Sequence, residues 1–296
     1  MKPINAMTID VEDYFHVSAM ETAVARADWP RLPVRVVDNT CRLLDLLEEA
    51  GVRGTWFVLG WVAERHPDLV RRIAARGHEL GSHGYSHRLV YTQSAADFRR
   101  ETLRSKALIE DQAQAPVRGY RAASYSIVRE SLWALDVLVE CGFEYDSSIF
   151  PVHHDRYGIP GFSRWPHLMD TPAGAQIVEF PLTTWRLGGL NVPIAGGGYF
   201  RLYPYALTCA GLRSVNEREG RPFIFYLHPW EIDPEQPRVS GLSWRSRFRH
   251  YNNLACTERR LARLLREFEF APAADVLEAE GLLAAGGGQE SWKQTG

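Results

Sequence analysis

The feature that most constrains the fold is an alternation of strand-like and helix-like segments from the N-terminus to about residue 270. Short runs rich in β-branched and aromatic residues, such as 53–59 and 222–227, predict strands. Between them, apolar residues recur at helical spacing, as in 253–268, where Leu254, Leu261 and Leu265 share one face. This alternation predicts an α/β fold with about seven strands in a mainly parallel sheet, closed or open.

The predicted elements leave two long segments without regular structure. Residues 150–171 are rich in Pro, Gly, His and Trp, and residues 188–199 contain three consecutive glycines. Long irregular segments in a compact domain are often functional loops.

The last residues, 286–296, are Gly-rich and polar, and we expect them to be disordered. The predicted strands are 4–9, 53–59, 78–81, 117–121, 143–146, 177–182 and 222–227, and the predicted helices are 37–47, 69–76, 94–112, 131–140, 205–217 and 253–268.

Composition excludes several classes of protein. The 296 residues carry 34 Lys and Arg against 36 Asp and Glu, a net charge of −2, which argues against a general nucleic-acid binder. No run of about 18 apolar residues is present, so no membrane span is expected. The N-terminus becomes acidic too early for a secretory signal, and the four cysteines are scattered. These features predict a cytoplasmic protein with reduced thiols.

Reactive groups in parallel α/β folds lie beyond the carboxyl ends of the strands. Four clusters of polar residues follow predicted strands in this sequence, and their coincidence at such ends is the main argument for an active site. The clusters are the acids Asp10, Glu12 and Asp13, the histidines His83 and His87, the pair Arg121 and Tyr125, and His228.

The acids and the two histidines form a candidate metal site. Histidines four residues apart on a helical turn, such as His83 and His87, share a face and reach one ion. In an extended chain Asp10 and Glu12 also share a face, whereas Asp13 points to the other side. Two histidines and one carboxylate are a common hydrolytic metal set. The alternative interpretation is two hydrogen-bonding loop histidines and acids that are solvated or cap a helix.

Arg121 and His228 supply the other groups that hydrolysis needs. A guanidinium beside a carboxylate keeps that carboxylate ionised and oriented. A histidine with a pKa near neutrality gives a proton to a departing amine. The alternatives are a structural ion pair for Arg121 and a buried core histidine for His228.

Together these motifs resemble the NodB-type polysaccharide deacetylases, carbohydrate esterase family 4, over about residues 5–232. The acidic motif after the first strand corresponds to Asp10-Val11-Glu12-Asp13, and the histidine motif to residues 83–87. The third motif corresponds to residues 121–125, and the last to Leu227-His228. The strings DVEDYFHVSAM, GGGYFR and LHPWEIDPEQPR resemble one branch more closely, whose members are often encoded with exosortase-linked exopolysaccharide genes.

The resemblance implies a distorted (β/α)7 barrel of the NodB type with a C-terminal extension. We therefore predict a barrel over 1–232, an extension packed on it over 233–285, and the tail 286–296. It also implies a divalent metal, expected to be zinc, held by His83, His87 and Glu12, with Asp13 as the alternative carboxylate ligand. Cobalt and nickel suit the same ligands.

The resemblance assigns the remaining roles as follows. Asp10, held by Arg121, is the base, and His228 protonates the leaving amine. A backbone N–H near Tyr125 stabilises the oxyanion. Asp146 is the candidate for orienting His228. The aromatic and Gly-rich residues of the expected sugar cleft, whose alternative is ordinary core and turn structure, are Trp165, Trp185 and 196–199.

This sequence departs from the family pattern at three places. An extra residue separates Asp10 from Glu12 where two adjacent aspartates are usual. Gly84 replaces a usual Ser or Thr, and Ala123 replaces a common Pro, which puts the placement of Tyr125 in question.

The implied function is removal of N-acetyl groups from a polysaccharide or oligosaccharide, an amide rather than a peptide hydrolysis. One alternative is cytoplasmic hydrolysis of a small cyclic amide or another C–N bond on the same fold. An alternative of another class is a catalytically inactive carbohydrate-binding protein. The sequence leaves the sugar, its linkage, the metal and the oligomeric state open.

Overall fold

The computed structural model describes residues 3–285, so the predicted disordered tail lies outside the described residues. Eleven strands and ten α-helices occur in this range. The strands are β1 (Asn5–Val11), β2 (Thr55–Val58), β3 (Glu79–Ser82), β4 (Gly119–Tyr120), β5 (Tyr145–Asp146), β6 (His167–Asp170), β7 (Gln176–Glu179), β8 (Thr184–Leu187), β9 (Leu190–Pro193), β10 (Ile224–Leu227) and β11 (Phe270–Ala271). The α-helices are α1 (Val36–Glu49), α2 (Gly60–Arg65), α3 (Pro67–Ala75), α4 (Ala95–Ala113), α5 (Trp133–Glu140), α6 (Gly197–Leu202), α7 (Tyr205–Arg213), α8 (Trp244–Tyr251), α9 (Leu254–Glu267) and α10 (Ala273–Ala279).

Seven parallel strands form the central sheet, in the order β10-β1-β2-β3-β4-β5-β7. β6 pairs antiparallel with β7, and β11 pairs parallel with the start of β1. No strand ladder within residues 3–285 joins β7 to β10. Instead, the Ile224 N–H donates to Thr183 Oγ1 at 2.8 Å, and Gly196 forms a bridge with Tyr226. The result is the incompletely closed, distorted barrel that the resemblance implied.

Helices cover the outside of the barrel because each presents one apolar face. The α1 side chains Leu43, Leu44 and Leu47 are fully buried at the spacing of one helical stripe. β1 is buried along its whole length, as a central strand covered on both faces must be. Among residues 3–285, no helix is both long and apolar enough to cross a membrane.

The C-terminal segment closes the N-terminal end of the barrel. α10 buries Val276 and Leu277 there. The backbone N–H of Ala274 donates to Glu79 Oε2 at 3.1 Å, and the Tyr145 hydroxyl donates to Glu79 Oε1 at 2.8 Å. The extension is therefore tied to the barrel by a buried polar contact as well as by apolar packing.

Regular structure extends into both segments that were expected to be irregular. Residues 150–171 contain β6, and 188–199 contain β9 and the first residues of α6. Gly188 and Gly189, both with positive φ, form the two-residue turn of a β8–β9 hairpin. A Gly-Gly pair between two apolar runs is a known hairpin signal, so this strand pair was predictable from the sequence. The six-residue helices α2 and α6 are too short to give a clear periodic pattern.

Two carboxyl groups share one buried site beside β5 and β7. Burial raises the pKa of Asp146 to about 6, and burial together with the Asp146 charge raises the pKa of Glu179 well above its usual range. Ser148 donates to Asp146 from both its hydroxyl and its backbone N–H, at 2.6 and 3.2 Å. Glu179 Oε1 accepts the Ile149 N–H at 3.0 Å, while its Oε2 lacks a donor among the described residues. The pair therefore retains a proton in the folded protein.

We expect Glu179→Gln to make stability less dependent on pH. The folded protein keeps a proton that the unfolded chain loses at about pH 4, so wild-type stability falls as pH rises above that value until the folded pKa is passed. The glutamine side chain of the variant has no carboxyl proton to lose. Denaturant unfolding should show that the free energy of unfolding falls between pH 5 and pH 8 in both proteins, and that the fall is larger in the wild type by at least about 1 kcal/mol. The exposed Glu130→Gln is the control, and equal losses in wild type and Glu179→Gln would contradict the shared proton.

Candidate active site

The predicted site residues meet at one end of the barrel because their strands are neighbours and parallel. β1 lies between β10 and β2, with Ile9 opposite Leu227. Asp10 near the end of β1 and His228 just after β10 are therefore adjacent. β3 and β4 bring their own carboxyl ends to the same edge of the sheet.

Glu12, His83 and His87 form a buried group with the spacing of metal ligands. Their ligand atoms all lie within 4.8 Å of one another. The Nδ1 of His83 lies 2.8 Å from the Arg121 carbonyl oxygen, which leaves Nε2 to face the group. Glu12 Oε2 lies 2.9 Å from His87 Nε2, yet it has no hydrogen bond of acceptable geometry among the described residues. Two potential ligand atoms this close are what one ion bound by both requires, so these residues fit a divalent metal.

The charge states of this group also suit a metal. Burial alone would raise the pKa of Glu12, but the neighbouring His87, His228 and His83 hold it well below its usual range. Burial lowers the pKa of His83 to about 4 against the opposing effect of Asp10. The group therefore offers an ionised carboxylate and a neutral imidazole, the forms that bind a metal.

The loop that carries the two histidines is held from outside by a helix N-terminus. Residues 83–87 form an irregular bend in which Gly84 and His87 have φ values of +71° and +51°. The backbone N–H groups of Gly60 and Trp61, the first residues of α2, donate to the carbonyls of Gly84 and Tyr85 at 2.8 and 3.0 Å. The expected helical turn is therefore wrong, and a bend with a left-handed glycine brings the imidazoles together instead.

Asp13, the alternative ligand, is used elsewhere. Its Oδ2 accepts the backbone N–H groups of Arg35 and Val36 at the start of α1, at 2.7 and 2.9 Å. Its Oδ1 accepts the N–H of Tyr14 at 2.9 Å. Asp13 thus caps a helix, as one of the alternative interpretations held, and Glu12 supplies the carboxylate of the metal group.

Asp10 is paired with a fully buried arginine. Arg121 Nη1 donates to Asp10 Oδ1 at 2.7 Å and to Thr8 Oγ1 at 2.8 Å. Its Nε and Nη2 donate to the carbonyl and the hydroxyl of Ser147 at 3.1 and 2.9 Å, and its guanidinium lies over the Phe57 ring. Because four hydrogen bonds hold the guanidinium, one oxygen of Asp10 is fixed and the other, Oδ2, faces His228.

His228 is oriented by Glu231 and not by Asp146. Its Nδ1 lies 2.7 Å from Glu231 Oε1, which also accepts the His228 backbone N–H at 3.1 Å. Asp146 bonds to Ser148 instead, so the expectation for Asp146 is wrong. The Nε2 of His228 then points between Asp10 Oδ2 at 3.8 Å and Glu12 Oε1 at 3.5 Å.

A buried arginine completes this arrangement. Arg201 Nε donates to Glu231 Oε2 at 2.6 Å, and both side chains are almost wholly buried. Burial would raise the pKa of Glu231, but Arg201 and His228 lower it. The pKa of His228 shifts in the opposite direction. Burial alone would lower it, but Glu231, Glu12 and Asp10 raise it to about 9. His228 thus favours the protonated imidazole, beside the carboxylates of Glu231, Glu12 and Asp10.

The C-terminal extension supports the same group from behind. Arg201 Nη1 donates to the carbonyls of His250 and Asn252 at 2.9 and 2.8 Å. The His250 ring stacks on Trp230 with centroids 4.3 Å apart, and Trp230 stacks on His228 at 5.3 Å. The Trp230 Nε1–H donates to Glu12 Oε1 at 3.3 Å. One indole therefore contacts both the metal group and His228.

Tyr125 lies in the site region with its own backbone N–H already bonded, so an oxyanion donor among the backbone N–H groups near Tyr125 stays a prediction. The Tyr125 N–H donates to the Ala122 carbonyl at 3.0 Å in a tight turn, and Tyr125 has a φ of +54°. Its buried ring packs edge-on against Tyr226, 5.1 Å away, and Tyr226 packs edge-on against His228 at 5.9 Å. Tyr125 is therefore placed as part of an aromatic wall.

The residues predicted to shape a cleft separate into two groups. Gly196 and Gly197 pack directly on Tyr226, where an added Cβ would lie 2.1 and 2.5 Å from its nearest atoms. Trp165 stacks with Arg164 and packs against the main hydrophobic core, and Trp185 packs against Gly211. The glycine segment thus borders the site region, whereas the two tryptophans are half-buried and pack against the hydrophobic core.

Sequence reasoning missed Glu231, Arg201 and Trp230. Glu231 follows His228 by three residues in HisProTrpGlu, a spacing at which one short turn brings the two side chains together. That spacing was available as a signal. The sequence held no comparable signal for Arg201, because 30 residues separate it from Glu231 and only the fold brings the two together.

Comparison with known proteins shows which families this chain is similar to. Residues 28–145 match the family model described as polysaccharide deacetylase, and residues 147–278 match a domain of unknown function, DUF3473. A chitooligosaccharide deacetylase of Rhizobium leguminosarum bv. trifolii is 35% identical over 152 residues, 51% of this chain and 62% of the relative. A peptidoglycan-N-acetylglucosamine deacetylase of Bacillus cereus is 30% identical over 117 residues, 39% of this chain and 41% of the relative. The chain thus spans less than two thirds of either relative.

Two solved structures share the fold over nearly the whole chain. A Mycobacterium smegmatis protein described as a polysaccharide deacetylase has a TM-score of 0.62 at 20% identity, covering 98% of this chain and 95% of its own. Puue allantoinase has a TM-score of 0.60 at 16% identity, covering 95% and 92%. These likenesses confirm the predicted fold class.

We expect Glu12→Gln to lose bound metal and Asp13→Asn to keep it. Glu12 lies in the ligand group, whereas Asp13 caps α1. Metal analysis of the dialysed proteins should give about one divalent ion per chain for wild type and Asp13→Asn, and much less for Glu12→Gln. Asp13→Asn should instead lower the free energy of unfolding by about 1 kcal/mol through the weaker cap. Metal lost from Asp13→Asn but kept in Glu12→Gln would reverse the two assignments.

Proposed function

Because this chain belongs to the NodB-type polysaccharide deacetylases, we propose that it is a metal-dependent hydrolase that removes N-acetyl groups from a polysaccharide or oligosaccharide. The observation that carries the proposal is one buried constellation in which Asp10, paired with Arg121, and His228, paired with Glu231, flank the Glu12 ligand group. Amide hydrolysis needs a base for water, an acid for the amine and stabilisation of the developing oxyanion, and these groups supply the first two.

Glu12, His83 and His87 would hold the metal, and zinc is the ion that we propose for this donor set. A bound divalent ion would act as a Lewis acid on the N-acetyl carbonyl and would favour ionisation of the attacking water. The chain itself keeps these ligands buried and fixes His83 through its Nδ1 contact with the Arg121 carbonyl.

Asp10 is the proposed base. Arg121 holds Oδ1, so the free Oδ2 is the atom that accepts the proton of the attacking water. The hydrogen bonds from Arg121 to Ser147 fix the position of the guanidinium, so that it stays paired with Asp10. Fixing the base in this way avoids reorganisation during the reaction.

His228 is the proposed acid that protonates the leaving amine from Nε2. Its Nδ1 is held by Glu231, which fixes both the ring orientation and the tautomer after the proton has left. Arg201 in turn holds Glu231 and keeps it ionised. The Glu231–Arg201 ion pair thus acts only through His228 and does not contact the amine. Glu231 and Arg201 are therefore positioning residues.

The alternatives are weighed by the same observations. Puue allantoinase supports a cyclic-amide substrate only at the level of the fold, whereas the two sequence relatives named above are both deacetylases of N-acetylated sugars. A carbohydrate-binding protein without catalysis would not need the ligand group, the base and the acid together. A role in exopolysaccharide production and a cytoplasmic location are further proposals that rest on the sequence resemblance and composition.

Acetate release tests the proposed function directly. We expect the metal-loaded protein to release acetate from N-acetylglucosamine oligosaccharides, and Asp10→Asn to lower kcat by at least about 100-fold while it keeps its metal. Allantoin serves as the substrate for the cyclic-amide alternative. An active Asp10→Asn enzyme would reject the base assignment, and hydrolysis of allantoin without acetate release would reject the deacetylase proposal.

Glu231→Gln tests the positioning of the acid. We expect kcat to fall about 10–100-fold with little change in KM, because Gln cannot keep the His228 ring protonated and oriented in the same way. Glu231→Asp should recover part of the loss. The matched control is Glu219→Gln, which breaks another carboxylate–arginine pair, with Arg164, outside the site. Equal effects of both substitutions on kcat would contradict a specific role for Glu231.

A further inference from the structure

The outer face of α8 carries an unusual combination of exposed rings and positive charge. Trp244 is 74% exposed and Phe248, one turn later, is 53% exposed. Between Glu235 and Glu258 the sequence has no acid but four arginines: Arg238, Arg245, Arg247 and Arg249. None of these arginines forms an ion pair with another described residue, although the described chain has many such pairs elsewhere. This surface is therefore both apolar and locally cationic in a chain whose net charge is −2.

The face has a shallow, open hollow beside the two rings. A hollow of about 320 Å³ is lined by Trp244, Arg247, Phe248, Tyr251 and Asn252. A lining of aromatic side chains with a few polar groups is the usual composition of a small-ligand site, and this volume lies at the lower limit for such sites. The hollow is of a size for a single sugar ring, which presents an apolar face to the aromatic side chains and hydroxyls to Asn252 and Arg247.

α8 borders the same end of the barrel as the active site. His250, on its inner face, stacks on Trp230, which stacks on His228. The helix also contacts the turn Ser18–Met20, and the Ser18 hydroxyl lies 2.7 Å from the hydroxyl of Ser124, next to Tyr125. A glycan chain that leaves the active site on this side would therefore pass over α8.

A line of aromatic rings connects the two places. Tyr157 packs edge-on to Tyr125 at 6.0 Å and stacks on His154 at 3.8 Å. Arg249 lies within electrostatic range of both Tyr157 and His154. Tyr125 itself is buried, whereas Tyr157 and His154 are half-buried rings that a sugar can contact between the active site and α8.

We propose that α8 forms an outlying subsite for an acidic sugar residue of the glycan whose N-acetyl group is hydrolysed. Trp244 and Phe248 stack on the sugar ring, and Arg245 and Arg249 pair with its carboxylate. This inference rests on the proposed function and adds to it a substrate class, an anionic rather than a neutral glycan. Unpaired guanidinium groups beside a sugar-sized hollow are what a carboxylate on that sugar requires.

A membrane surface is the competing occupant, and the geometry favours it less. An interfacial helix needs enough apolar area to enter the lipid, and even a whole myristoyl chain gives only marginal binding. α8 has eight residues and offers two exposed rings on either side of a hollow. Such a face offers stacking surface to a small ligand but little apolar area to a bilayer.

Isothermal titration calorimetry with oligosaccharide probes, on the metal-loaded protein, tests the subsite. The probe is a hexasaccharide of alternating glucuronate and N-acetylglucosamine, with the neutral hexamer of N-acetylglucosamine and phosphatidylcholine–phosphatidylserine vesicles for comparison. We expect the double variants Trp244→Ala/Phe248→Ala and Arg245→Gln/Arg249→Gln each to weaken binding of the acidic probe at least about tenfold. The arginine variant should reduce the preference for the acidic over the neutral probe.

Two exposed positions far from α8 provide the controls. Leu190→Ala, at the β8–β9 hairpin, and Arg266→Gln, on α9, should leave affinity for the acidic probe within about twofold of wild type. Absence of wild-type binding, binding by both double variants as tight as that of the wild type, or binding to vesicles alone would overturn the subsite. Probe binding lost in both double variants, without acetate release from any glycan, would support the subsite and reject the proposed deacetylase activity.

Discussion

The site depends on one buried guanidinium. Arg121 has no exposed surface, and its hydrogen bonds join the end of β1, through Thr8 and Asp10, to Ser147 after β5. Its own carbonyl fixes His83. Burying this charge is costly, and only a paired carboxylate with further acceptors compensates. Loss of either partner would leave an uncompensated buried charge, at a cost of about 3–5 kcal/mol. One residue thus sets the positions of a metal ligand and of the proposed base.

The C-terminal extension contributes to both ends of the barrel. At the N-terminal end, α10 covers the interior and binds Glu79. At the other end, the His250 and Asn252 carbonyls hold Arg201, and the His250 ring supports Trp230. The groups around His228 are therefore assembled from the barrel and the extension together. This explains why residues beyond the deacetylase family match, which ends at 145, contact the proposed acid directly.

Two carboxylates that the sequence offered for the site, Asp13 and Asp146, have other partners in the structure. Asp13 and Glu12 are adjacent acids, but Asp13 turns toward the free N–H groups of α1, whereas Glu12 turns toward His83 and His87. Asp146 is buried near Arg121, but Ser148 satisfies it, and Glu231 reaches His228 instead. In both pairs the deciding factor is which unsatisfied donor lies within reach, and a linear pattern does not contain that information.

The sequence by itself determined the alternation of the main strands and helices, the strand ends that carry the acids, histidines and arginine, and hence the resemblance to the deacetylase family. These follow from local periodicity and from the rule that parallel strands present their carboxyl ends together. Only the tertiary structure decided the choice of Glu12 over Asp13, the bend that brings His83 and His87 together, and the union of Arg201, Glu231 and His250 behind His228. Most of those contacts join segments that are far apart in the chain, so they depend on how the barrel and its extension pack rather than on any local preference.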